Sequence, residues 1–314
     1  MPLSLEAVVN NLKLVMVGKE KVIERCLVAI LCGGHVLLED APGVGKTTLV
    51  KAIARSLGLD FRRIQFTPDL LPSDVTGVSI YNQHTQQFEF RPGPIMAHVV
   101  LADEINRTSP KTQSALLEAM EEGSVTADGV SHPLPKPFFV MATQNPIEYE
   151  GTYLLPEAQL DRFQLKLKLG YPRHQDEVEL LHRMQQQRHP VEQLEMVLSR
   201  RELLELQQAV GAVFVDEAVK GYIVEIVQRT RRHPLLSLGA SPRGSLALFR
   251  SAQAFAFLRG REFALPDDVK EMAVETLAHR LILKPEAQYQ GHTASGVIEQ
   301  LLSEVPVPVF RRMR

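Results

Sequence analysis

The chain has 314 residues, 45% of them hydrophobic and 23% charged, with a formal net charge of -2. That length and balance leave room for two domains with a sizeable core and exclude a disordered or low-complexity chain. Near-neutral charge offers no bulk attraction for nucleic acid or an anionic membrane, and two cysteines, Cys26 and Cys32, are too few for a disulfide scaffold and too irregularly spaced for a zinc site, so both read as buried thiols.

In chain order, the stretch from Met1 to Asn10 lacks the basic region and cleavable apolar core of a signal peptide. The longest apolar run, Cys26 to Leu38, is broken by Gly33, Gly34 and His35 and falls short of the roughly 18 residues of a membrane span. The expectation is a cytoplasmic protein without a membrane span. From about residue 35 to 169, short apolar runs alternate with helical patterns, as in a mostly parallel sheet covered by helices. His35 to Leu38 reads as a strand, and Thr47 to Leu57 as a helix with Leu49, Val50, Ile53, Ala54 and Leu57 on one face. Phe61 to Phe66, His98 to Ala102 and Phe138 to Thr143 read as further strands, and Phe163 to Leu169 alternates as a half-exposed strand does.

Two segments read as excursions from that sheet, Val78 to Pro94 and Ser124 to Pro137, the second with an Asp128-Gly129 hairpin turn. Beyond about residue 172 the pattern changes to helices only, introduced by the Gln-rich stretch His182 to His189, and the stripe Ala218, Val219, Tyr222, Ile223, Ile226 and Val227 has helical period. A boundary near 190 divides the chain into 1–190 and 191–314. His35 and His98, each at the start of a strand, read as packed or rim residues, and the other histidines lack metal-ligand spacing.

Gly43-Val44-Gly45-Lys46-Thr47-Thr48 stands where a strand ends and a helix begins, the place where backbone N–H groups and the positive end of a helix converge on an anion. Glycines let the backbone wrap a phosphate, Lys46 reaches the outer phosphates of a triphosphate, and the Thr47 hydroxyl ligates magnesium. The pattern G-x-x-x-x-G-K-[ST] departs at its first glycine, where this chain has Asp40, a negative charge near the loop mouth that can tune affinity. Val99 to Ala102 ends in Asp103-Glu104, two carboxylates at the edge where α/β sheets bind ligands. Asp103 suits hydrated magnesium, and Glu104 suits the attacking water. Asn145 follows the next strand and reaches the same edge, to position the water or touch the γ-phosphate. Ser241-Pro242 reads as a helix N-cap with proline at the first position, which puts Arg243 in a first turn, where a cation opposes the helix dipole unless a phosphate lies close.

These residues carry a resemblance to the MoxR-type AAA+ ATPases over nearly the whole chain. The matching segments are Glu39-Asp40-Ala41-Pro42-Gly43-Val44-Gly45-Lys46-Thr47, Ala102-Asp103-Glu104-Ile105-Asn106-Arg107, Leu116-Leu117-Glu118-Ala119-Met120, Ala142-Thr143-Gln144-Asn145-Pro146 and Leu160-Asp161-Arg162-Phe163. The resemblance implies an α/β fold, an AAA+ nucleotide-binding domain with helices on both faces of a parallel sheet, followed by an all-α lid. It implies ATP with Mg2+, ADP as product, Asn145 as first sensor, Arg162 as an arginine finger toward a neighbouring subunit, and Arg243 as second sensor on the lid. Met16-Val17-Gly18 is similar to the segment that borders the adenine, and Arg107 stays open between a structural ion pair and a subunit contact.

The implied assembly is a homo-oligomeric ring, a hexamer, that remodels or activates a protein client together with a separate von Willebrand factor A domain protein; the two excursions resemble insertions placed around its central pore. The alternatives are the motor subunit of a metal chelatase, told apart only by its partner, and a nucleotide-gated scaffold, against which Glu104 argues. A nucleic-acid translocase is disfavoured by the near-neutral charge.

Overall fold

The computed structural model describes residues 2–145, 152–185 and 190–308. The chain opens with helices α1 (Leu3–Lys13) and α2 (Glu20–Leu31), then β1 (Val36–Glu39), α3 (Lys46–Ser56), β2 (Phe61–Gln65) and the short α4 (Pro72–Thr76). A hairpin of β3 (Gly77–Asn82) and β4 (Gln87–Pro92) precedes β5 (Val99–Asp103), α5 (Pro110–Glu122), a second hairpin of β6 (Ser124–Ala127) and β7 (Val130–Pro133), and β8 (Phe139–Gln144). Then come α6 (Glu157–Leu160), β9 (Leu165–Leu167) and α7 (His174–Gln185).

Five strands form a parallel sheet in the order β2-β5-β8-β1-β9. Both faces of its central strands β1, β5 and β8 are covered, so these alternate between two apolar cores rather than between core and water, whereas the edge strand β2 leaves Arg62, Arg63 and Gln65 exposed. Val99 and Leu101 enter the core beneath α1, α2 and α3, while Val100 and Ala102 enter the core beneath α5. The period-two reading of Phe163 to Leu169 holds only from Leu165 onward, with Leu165, Leu167 and Leu169 buried and Lys168 in water at the sheet edge; Gln164 is buried too, its Nε2 donating to the Ala247 carbonyl at 2.8 Å.

Both excursions are hairpins. Asp128 and Gly129 close the second with φ of 49° and 78°, the pair of positive angles a two-residue turn needs to match strand twist. The two hairpins touch through Phe90 and His132, whose rings stack with centroids 3.8 Å apart.

The second part is helical: α8 (Arg200–Gly211), α9 (Glu217–Arg232), α10 (Pro242–Leu258), α11 (Pro266–Leu277), α12 (Pro285–Tyr289) and α13 (Ala294–Glu304). The helices-only expectation needs one amendment, since β10 (Leu236–Leu238) and β11 (Ile282–Leu283) pair as an antiparallel ribbon. That ribbon is too short to leave a periodic signal in the sequence. Of the Gln-rich stretch, residues 186–189 lie outside the described residues. The apolar core beneath α2 runs on without a break into α8, α9, α10 and α11, so the two parts share one core cluster.

None of the described helices is long and apolar enough to cross a membrane.

Candidate functional site

Because the sheet is parallel, β1, β5 and β8 all end at one edge, and everything that follows them in sequence gathers there. After β1 the chain turns through Gly43 and Gly45 at φ of 85° and 95°, a left-handed region that a side chain would strain, and enters α3 at Lys46. The backbone N–H groups from Gly43 to Thr48 find no acceptor among the described residues. Lys46 folds back, its Nζ donating to the carbonyls of Asp40 at 2.9 Å and Ala41 at 3.3 Å. A row of free donors at a helix N-terminus with an ammonium beside it fits a polyphosphate. Met16 borders the loop, its methyl 3.7 Å from where a Cβ on Gly45 would stand, with Val17 half-buried and Gly18 at φ 68° packed on Asp176.

Asp40 does not face the loop mouth. Its buried carboxylate turns inward and accepts from the amides of Leu169 and of Gly170, the latter at 3.0 Å. Lys19 holds the other side of that segment, donating to the carbonyls of Leu169, Gly170 and Tyr171 at 2.7, 3.0 and 2.9 Å. The tuning role expected for Asp40 is thereby replaced by a structural one.

At the end of β5, Asp103 accepts from Thr143 Oγ1 at 2.6 Å and from Arg63 Nη2 at 2.6 Å. The same Thr143 hydroxyl accepts from the Glu104 amide at 2.8 Å. Glu104 has φ 58°, a strained conformation for a non-glycine residue, and its carboxylate accepts from Gln65 Nε2 at 2.8 Å and Arg107 Nη1 at 3.1 Å. Arg107 thus has an ion pair within its own chain. Asn145 is buried just past β8, its carbonyl within 3.5 Å of Asn106 Nδ2; Pro146 lies outside the described residues. Arg63, Gln65 and Thr143 were not singled out from the sequence. Their signal was faint, because a polar residue on a strand declares its neighbour only once the register is known.

Arg162 and Arg243 stand elsewhere. Both reach Glu121 in the last turn of α5, Arg162 Nη2 at 3.1 Å and Arg243 Nη2 at 2.5 Å. The neighbouring Met120 carbonyl contacts His35 Nε2 at 3.3 Å, and His35 immediately precedes β1, so this end of α5 lies at the strand starts. The four-residue β1 separates that edge from the phosphate loop, on the order of 13 Å at about 3.3 Å per residue. A cavity of about 200 Å³ at the arginines is lined by Glu121, Asp161, Arg250 and Arg280 among others, and by no residue of 40–48, 103 or 104. Ser241 caps α10 as expected, accepting from the Arg243 amide at 3.1 Å, and also donates to Asp161 at 2.8 Å. Buried Arg280 grips the same segment through Asp161 Oδ1 at 2.9 Å and the Phe163 carbonyl at 2.7 Å; burial pushes its pKa down to about 10, with Asp161 opposing the shift.

Two family models match, the "ATPase family associated with various cellular activities (AAA)" over residues 35–165 and the "AAA lid domain" over 228–301. The chain is 44% identical to "Chaperone MoxR1" of Mycobacterium tuberculosis, covering 97% of this chain and 82% of that protein. The chain belongs to the MoxR-type AAA+ ATPases. This MoxR-type ATPase is also 59% identical to "Uncharacterized protein YeaC" of Bacillus subtilis, over 96% of this chain and 94% of that protein. A crystal structure of a Cytophaga hutchinsonii protein described as an ATPase superposes with a TM-score of 0.91 at 42% identity, covering 98% of the MoxR-type chain and 95% of its own. The AAA+ fold, an αβα core followed by a lid, is therefore shared along the full length.

Proposed function

We propose that this MoxR-type protein binds ATP with Mg2+ on the loop Gly43–Thr48, hydrolyses it in a hexameric ring, and uses the cycle to remodel or activate partner proteins. The observation that carries this reading is the division of the charged groups over two edges of one sheet. Lys46, Asp103 and Glu104 stand at the strand ends, whereas Arg162 and Arg243 stand at the strand starts, beyond side-chain reach of their own loop. Cations that far from their own nucleotide serve catalysis when a neighbouring copy presents its nucleotide to them, as in a closed ring.

In the proposed site the amides of residues 43–48 and Lys46 hold the phosphates, with Val17 and Gly18 beside the base. Thr47 and Asp103 would hold the magnesium ion, Asp103 exchanging its Arg63 pair for it. Mg2+ held there would neutralise phosphate charge. Glu104 leaves Gln65 and Arg107 to polarise the attacking water, Asn145 orients it, and Arg162 with Arg243 meets charge on the neighbour's γ-phosphate. Domain division near residue 190 goes with this scheme, since it leaves Arg162 on the core and Arg243 on the lid. The paired hairpins, with exposed Tyr81, Phe88 and Val130, are the proposed grip for a client, and a separately encoded von Willebrand factor A domain protein is the proposed partner.

The deciding experiment is steady-state phosphate release against protein concentration. Wild type should rise more than linearly, Glu104→Gln should bind ATP without turnover, and Lys46→Ala should lose tight binding. Arg162→Ala mixed with Lys46→Ala should recover part of the activity, because each supplies what the other lacks. Linear turnover together with no recovery in verified mixed assemblies would reject hydrolysis between subunits.

A further inference from the structure

Glu121 holds one guanidinium on each carboxylate oxygen, Arg162 on Oε2 and Arg243 on Oε1. Its position is costly for its own helix. Glu121 and Glu122 close α5, no basic residue occupies that last turn, and a carboxylate at a helix C-terminus meets the negative end of the dipole. Compensation comes from two other elements, the segment before β9 and the first turn of α10. Both arginines are set from behind: Asp161 is taken by Ser241 and Arg280, which leaves Glu121 as the carboxylate facing the fork. Arg250 adds a further cation to the cavity lining.

We infer that Glu121 is a placeholder anion, resting on the reading above that a neighbour's nucleotide meets Arg162 and Arg243. Carboxylate and phosphoryl oxygens accept from guanidinium in the same forked geometry, so the position Glu121 fills in a lone chain is the one a terminal phosphate takes in the ring. Glu121 keeps the two guanidiniums convergent and partly neutralised before assembly, and yields to a phosphoryl group that carries more charge and a third oxygen. The three side chains are 28%, 52% and 36% exposed for Arg162, Arg243 and Glu121, so the pairs are water-screened and exchangeable. Glu121 is a positioning residue, acting through the arginines and setting how much neighbour is needed to displace it.

The test uses the full chain and two readouts. In a Lys46→Ala background, inorganic pyrophosphate binding followed by phosphorus NMR should tighten on the order of five-fold when Glu121→Gln removes the competing charge. Adding Arg243→Ala should cancel that gain, and Glu121→Asp, which keeps the charge, should bind as the parent does. In the otherwise wild-type chain, Glu121→Gln should reach half-maximal turnover at a several-fold lower protein concentration, with matching melting curves establishing that the fold is intact. Unchanged or weaker pyrophosphate binding in the Gln variant overturns the placeholder. Tighter binding with an unmoved concentration threshold leaves the anion site standing and overturns the neighbour's phosphate as its occupant, which is failure of the ring reading.

Discussion

Asp40 occupies the place where the phosphate-loop pattern has its first glycine, and its carboxylate serves the segment after β9 rather than the nucleotide. Restoring the pattern with Asp40→Gly should lower stability by about 1 to 3 kcal/mol in urea denaturation, since the buried Leu169 amide and the half-buried Gly170 amide lose their acceptor, and should not tighten ATP binding. Thr143 ties both members of the acidic pair, donating to Asp103 and accepting from the Glu104 amide. Thr143→Val removes that tie while keeping the shape, and turnover should fall by about a hundredfold with ATP affinity little changed, because misplacement rather than lost binding is the consequence. An unaltered turnover number would place the hydroxyl outside the reaction.

At the scale of elements, the helix starts and turns were the most legible features. Ser241-Pro242 forms the cap of α10, and Asp128-Gly129 closes a two-residue hairpin, because both signals are local and need no tertiary neighbour. The cap has a second duty that its sequence signal does not contain. Ser241 also donates to Asp161, so Ser241→Ala should cost about 1 kcal/mol of stability from the cap and, in addition, lower turnover by letting α10 shift against the Arg162 segment. Urea denaturation beside concentration-dependent phosphate release separates the two effects; a stability loss with full turnover would reduce Ser241 to a helix cap. The ribbon of β10 and β11 was missed for the opposite reason, as two or three residues carry no periodicity.

For the whole molecule, His35 links sheet and helix layers. Its Nδ1 accepts from the Val140 amide and its Nε2 faces the Met120 carbonyl, an arrangement only the neutral ring satisfies, and burial pushes its pKa down to about 4 from 6.5. A histidine whose folded pKa is depressed binds its proton more readily when unfolded, so stability is full above pH 6.5 and declines as pH falls toward 4. The His35 share is up to about 1.4 kcal/mol per pH unit across that window. Buried His279, also pushed well below its usual value by burial and by Arg280 beside it, adds to the loss in the same direction. Urea denaturation at pH 7, 6 and 5 should show it, and a flat profile would mean that the rings are already solvated.

The sequence by itself determined the strands of the parallel sheet, the glycine-rich strand-to-helix turn, the acidic pair, the hairpins and the family, since each is written in residues close together whose backbone chemistry acts locally. Tertiary structure alone decided that Asp40 turns inward, that Arg63 and Thr143 hold Asp103, and that Arg162 and Arg243 converge on Glu121 at the edge opposite their own phosphate loop. Those pairings join residues some 40 to 130 positions apart, and strand register and helix packing, not any local pattern, bring them within hydrogen-bond range.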